Sequence, residues 1–136
     1  MPVARKKNNS NAPFLVHELL RILVELKIYH WSTLSFARHK ASDQCFTTLQ
    51  TLTDQFMEAV LGLSPQARKV FQADLAAQPV LTVAVKAAST DKVMEARLLR
   101  LEQMLRASRF TATDLANIRD EMLTAVHTCL YLFTLD

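Results

Sequence analysis

Followed at steps of three and four residues, the apolar positions of this chain fall into four long one-sided stripes, the pattern of helices that bury one face. The first helix is predicted from about Pro13 to Ser32, with Phe14, Leu15, Leu19, Ile22, Leu23 and Leu26 as its stripe. Asn11 is its candidate cap, and Pro13 suits a first turn, where a missing N–H costs nothing. The second runs from about Ser35 to Leu61 on Phe46, Leu49, Leu52, Phe56 and Val60, and Gly62 and Pro65 stop it. The third opens at Ser89 or Thr90 and uses Val93, Met94, Leu98, Leu101 and Leu105. The fourth begins at "TATD" and carries Leu115, Ile118, Met122, Val126, Leu130 and Phe133.

Between the second and third stripes the pattern weakens. "SPQARKVFQADLAAQP" predicts a short helix capped by Ser64 and closed before Pro79, inside a long connection. The corner after Ser32 is short, so the first two helices should be antiparallel neighbours, and so should the last two. Residues 13–136 are therefore expected to form an all-α, ferritin-like four-helix bundle with a long crossover between helices 2 and 3. A single glycine and four prolines in 136 residues leave little material for the turns of a sheet.

Charge and composition add a second region. The net charge is +3, and Arg5, Lys6 and Lys7 account for as much within a polar opening that has no apolar period. Residues 1–12 are read as a flexible basic tail, either a solvated terminus or an arm for nonspecific DNA binding by counterion release. Cys45 and Cys129 lack metal-type spacing, which suits a reduced, intracellular protein. The first dozen residues are too polar for a signal peptide, and no apolar run is long enough to span a bilayer. A soluble protein, cytoplasmic or associated with nucleic acid and without a membrane partner, is expected.

The second helix holds the candidate chemistry. With His39 at 0°, Asp43 falls near 40°, Asp54 near 60° and Glu58 near 100°, so the four share a side. His39 and Asp43 are one turn apart, as are Asp54 and Glu58, the spacing at which two side chains reach one ion. The two pairs lie ~16 Å apart along the axis, too far to share an ion within one chain. Two copies packed antiparallel about a twofold axis near Leu49 would bring each pair against the other, giving two equivalent sites per dimer. Nitrogen and carboxylate ligands with open positions suit iron, with zinc or manganese as alternatives. His30, at the end of the first helix, adds a nitrogen. Trp31 beside it is either a shield for the site or a corner aromatic. The competing reading is that the stripe is a solvated helix face. His17 and His127 read as partly buried structural histidines, and Asp120 and Glu121 as surface.

"HW", a short gap, "H-x-x-x-D", and then "D-x-x-x-E" eleven residues beyond that Asp together resemble the ferroxidase motif of the Dps-like miniferritins, of which this chain would be a divergent member. The resemblance matches His30, His39, Asp43, Asp54 and Glu58 to the motif's ligands, and Trp31 to its tryptophan. It implies iron sites shared between subunits at a twofold interface, a homo-oligomer that can close as a hollow dodecamer, oxidation of Fe(II) by peroxide or oxygen, storage of ferric mineral, and DNA binding through the tail. The alternative is a non-enzymatic ferritin-like structural or DNA-compacting oligomer with a vestigial or structural metal site.

If the tail is a DNA arm, deleting residues 1–12 abolishes DNA retention in a gel-shift assay. The intact chain then loses retention as salt rises, with a slope of about three charges.

Overall fold

In the computed structural model the described residues, 12–77 and 80–135, form six helices and no strand: α1 (Ala12–Ser32), α2 (Phe36–Leu61), α3 (Pro65–Ala76), α4 (Val85–Ala88), α5 (Asp91–Ala107) and α6 (Thr113–Phe133). The basic tail, Arg5, Lys6 and Lys7, and the candidate cap Asn11 lie outside the described residues. No helix among the described residues is long and apolar enough to cross a membrane.

The helix ends follow from local chemistry. Ser35 caps α2, its hydroxyl accepting from the Arg38 N–H at 3.2 Å. Ser64 does the same for α3 from Ala67 at 2.9 Å, and Pro65 occupies the first turn. Gly62 closes α2 with an ordinary negative φ. Its value lies in space, since a Cβ there would stand 3.2 Å from the Glu58 carbonyl oxygen. The short helix α4 carries too few residues to show a period, and the apolar pattern does not mark it.

The long helices pack in a ring: α1 against α2 and α5, and α6 against α2 and α5. Leu19, Leu26, Leu49, Phe56, Leu98, Leu101, Leu115 and Val126 are fully buried in the shared core. Each such side chain contributes roughly 1.5–3 kcal/mol by leaving water, so burial of this core does more than any other interaction to hold the helices together. In the connection between α2 and α5, Phe71 of α3 joins the core, Ala88 of α4 is fully buried, and Arg21 Nε donates to the Thr82 carbonyl at 3.0 Å.

Helix α1 also carries charge on its seam with α5. Glu25 is 1% exposed and meets Arg97 Nε at 3.0 Å; Glu18 is 4% exposed and meets Arg21 at 2.9 Å and Arg100 at 3.8 Å. Further along, the Tyr29 hydroxyl donates to Asp91 at 2.7 Å. Rising numbers on α1 thus meet falling numbers on α5, so the two helices are antiparallel. Neither Glu25 oxygen has a well-directed hydrogen bond among the described residues, and burial pushes its carboxyl above the usual range against the opposing pull of Arg97.

Removing one partner of such a pair is costlier than removing both. Arg97→Ala should destabilise the fold by ~2–4 kcal/mol, and the double change Glu25→Leu, Arg97→Met should recover most of that loss. Urea unfolding of the three proteins measures both effects.

Candidate metal centre

The corner between α1 and α2 brings two of the predicted ligands into contact. His30 stands in the last turn of α1 and His39 in the first turn and a half of α2, and their rings stack with centroids 3.8 Å apart and planes 18° from parallel. His30 Nδ1 donates to the His39 carbonyl oxygen at 2.8 Å, and His39 Nδ1 donates to the His30 carbonyl oxygen, also at 2.8 Å. A carbonyl oxygen has no proton to give, so each Nδ1 must carry one. In the neutral ring this leaves the lone pair on Nε2, the arrangement common in metal-binding histidines.

The same bonds have a structural use. The last carbonyls of a helix lack intrahelical partners, and His39 supplies one to His30 at the end of α1. Ser42 Oγ also donates to the His39 carbonyl at 3.1 Å, and Thr33 Oγ1 accepts from Ser35 N at 3.2 Å inside the corner. Behind it, Arg38 donates to Glu95 at 2.8 Å and to the Tyr29 hydroxyl at 3.3 Å, with its guanidinium 4.9 Å from the centre of the Phe133 ring. The residues that precede the two histidines are therefore joined in the interior while the histidines are joined outside.

Asp43 lies one turn beyond His39 and meets Lys27 of α1, whose Nζ donates to Oδ1 at 2.8 Å. That hydrogen bond holds the Asp43 carboxyl below the ordinary value of 3.8 against the opposing effect of desolvation, and the charges on Lys27, His30 and His39 act in the same direction as the bond. Lys27 also sits over the Phe46 ring, 4.4 Å from its centroid. Sequence reasoning missed Lys27. Its spacing three residues before His30 is visible in the sequence, but its meeting with Asp43 depends on the register that the corner imposes.

Asp54 and Glu58 are exposed, one turn apart, farther down α2. Cys45, Leu49, Leu52, Phe56 and Val60 are buried on the opposite arc, as the angular reading anticipates. Among the described residues no three His, Cys, Asp or Glu side chains gather closely enough to hold an ion within one chain. His30, His39 and Asp43 stand at the corner, and Asp54 and Glu58 lie farther along α2, eleven and fifteen residues beyond Asp43. Lone pairs lie in the ring planes, so two stacked rings cannot converge on one ion without turning. Each can offer Nε2 only to a different ion.

Trp31 is 74% exposed. It borders a groove of about 410 Å³ between α1 and α2, walled by Leu20, Val24, Ile28 and Phe46. His17 is buried on α1, whereas His127 is exposed, its Nε2 3.6 Å from Glu102. Asp120 and Glu121 are exposed, as their sequence setting suggests. Cys45 and Cys129 are both buried and line a groove of about 350 Å³ between α2 and α6. Hydrogen bonding with Cys45 and burial push the Cys129 thiol far up, so it stays protonated and is a poor soft-metal ligand.

Residues 30–133 match a family described only as a family of unknown function, DUF5856. The chain belongs to that family, and the matched region opens on His30. Neither the curated proteins nor the solved structures hold a match to it.

The Lys27–Asp43 pair gives a pH test. A carboxyl lowered in the fold stabilises it above the unfolded value, and the contribution fades as pH falls through the lower folded value. The stability gap between the wild type and Asp43→Asn, read from denaturant midpoints, should be present at neutral pH and close as pH falls below the ordinary carboxylate range.

Proposed function

We propose that the chain is a Dps-like iron-binding protein whose sites form between two subunits and oxidise Fe(II). The observation that carries this reading is the reciprocal bonding of His30 and His39, which ties both Nδ1 atoms to backbone and leaves Nε2 as the ligating nitrogen of each ring. The packing supports the ferritin-like form of the reading. The four long helices make a ring, α1 and α5 are antiparallel, and the Arg38–Glu95 pair sets the starts of α2 and α5 side by side. Helices α2 and α5 then run the same way, as the long crossover of a ferritin-like bundle would require.

In this reading two copies of α2 meet antiparallel across a twofold axis. Asp54 and Glu58 of one subunit bind Fe(II), with Glu58 bridging two ions, while His30 and His39 of the other complete the ligand sets and Asp43 holds the weaker ion or orients a ligand. The exposed apolar wall of Leu20, Val24 and Trp31 beside the stripe favours a second copy as its cover, and Trp31 then closes the site from water. Iron here is the substrate. Each of two ferrous ions gives up one electron, and a single peroxide takes both with two protons to leave water, so no hydroxyl radical is released. A shell of such dimers, closing as a dodecamer, would store the ferric product, and the basic tail would hold DNA.

One observation favours a second reading. Asp43 is already neutralised by Lys27, as in a structural stripe that has lost its metal. The protein would then be a ferritin-like oligomer without ferroxidase activity.

Anaerobic Fe(II) titration followed by peroxide or oxygen separates the two. Saturable binding and rapid oxidation are expected in the wild type, with oxidation falling to the rate of free iron in Asp54→Ala, Glu58→Ala at unchanged oligomeric mass. Wild-type behaviour equal to that of the double variant establishes the second reading.

A further inference from the structure

We propose that Lys27 is a built-in counter-cation for the candidate site: it holds Asp43 while the site is empty, and a divalent ion binds only by displacing it. This inference rests on the metal reading above and assigns Lys27 the role of setting which ions enter.

The four residues form a two-by-two arrangement across the corner. Lys27 and His30 are three apart on α1, and His39 and Asp43 are four apart on α2, so each pair occupies one side of its helix. The stacked rings join one rung between the helices and the Lys27–Asp43 bond of 2.8 Å joins the next. Lys27 is therefore the cation bonded to Asp43, the carboxylate one turn beyond His39 on α2. A divalent ion that took an oxygen from Asp43 while Lys27 stayed would lie within a few ångströms of an ammonium.

The lysine is held loosely enough to leave. Its side chain is 32% exposed and that of Asp43 47%, so the pair is screened by water and contributes little to the fold. The Phe46 ring, 4.4 Å from Nζ, keeps the ammonium near the site without enclosing it. An ammonium on a flexible four-carbon stem can swing out to solvent, which a guanidinium forked onto the carboxylate would resist.

Displacement sorts ions by their taste for nitrogen. Mg²⁺ and Ca²⁺ take oxygen ligands and gain nothing from imidazole, so they would lose the Lys27 contact without recompense. Fe²⁺, Co²⁺ and Zn²⁺ bind imidazole well, and the Nε2 bond offsets the loss. Lys27 thus excludes the abundant hard cations and admits the transition ions.

Co²⁺ serves as the probe, read by its visible absorbance and by calorimetry on the full chain, for the wild type, Lys27→Met, Lys27→Gln and His39→Ala. Both Lys27 variants should bind Co²⁺ about tenfold more tightly at low salt, with the gap narrowing as salt rises. They should also gain measurable Mg²⁺ affinity, while His39→Ala loses Co²⁺. Unfolding of the metal-free proteins shows that each variant is folded. If His39→Ala abolishes Co²⁺ binding but neither Lys27 variant binds more tightly than the wild type, the role of Lys27 is overturned and the metal reading stands. If the wild type binds no Co²⁺, or binds it equally well after His39→Ala, both are overturned.

Discussion

The exchange of hydrogen bonds between the imidazoles and carbonyls of His30 and His39 is the constraint from which the rest of the α1–α2 geometry follows. Only three residues separate the helices, and the end of α1 has carbonyls that need donors. One imidazole supplies such a donor, the other returns the bond, and the stacked rings set the register of α2 against α1. With that register, Tyr29 meets Arg38 inside and Lys27 meets Asp43 outside. A slip of one turn, about 5.4 Å, would break all of these contacts together.

Helix α1 shows how placement separates structural charge from charge available for chemistry. On the side facing α5, Glu18 and Glu25 are nearly inaccessible, and arginines hold them. Their pairing limits the cost of burial. On the side facing α2, Lys27 and Asp43 are partly exposed and joined by one hydrogen bond, so an exchange of partners there costs little. The second arrangement is the one in which an ion can replace a proton or an ammonium, which is why the candidate chemistry belongs there and not in the more heavily charged seam.

The helices are legible in the sequence because their signals are local. Ser35, Ser64, Gly62 and Pro65 mark ends through bonds or clashes within a few residues, and the buried positions recur at the helical period. Helix α4, four residues long, has no period to read. Glu18 and Glu25 give no sign of being core residues, since they are buried against α5, whose Arg97 and Arg100 lie more than seventy positions away; Arg21, which also holds Glu18, is local. Trp31 could be a shield or a corner aromatic from its neighbours alone, and its exposure depends on how α1 ends.

The grouping of His39, Asp43, Asp54 and Glu58 on one side of α2 was settled by the sequence itself, because angular position along a regular helix depends only on residue spacing. So were the all-helical class and the spans of the long helices, which come from local propensity and a repeating apolar period. Which side chains meet was decided by the tertiary structure. The stacking of His30 on His39, the capture of Asp43 by Lys27 and the burial of Glu25 beside Arg97 join residues on different helices, and their distances depend on corner length, axial register and core packing acting together.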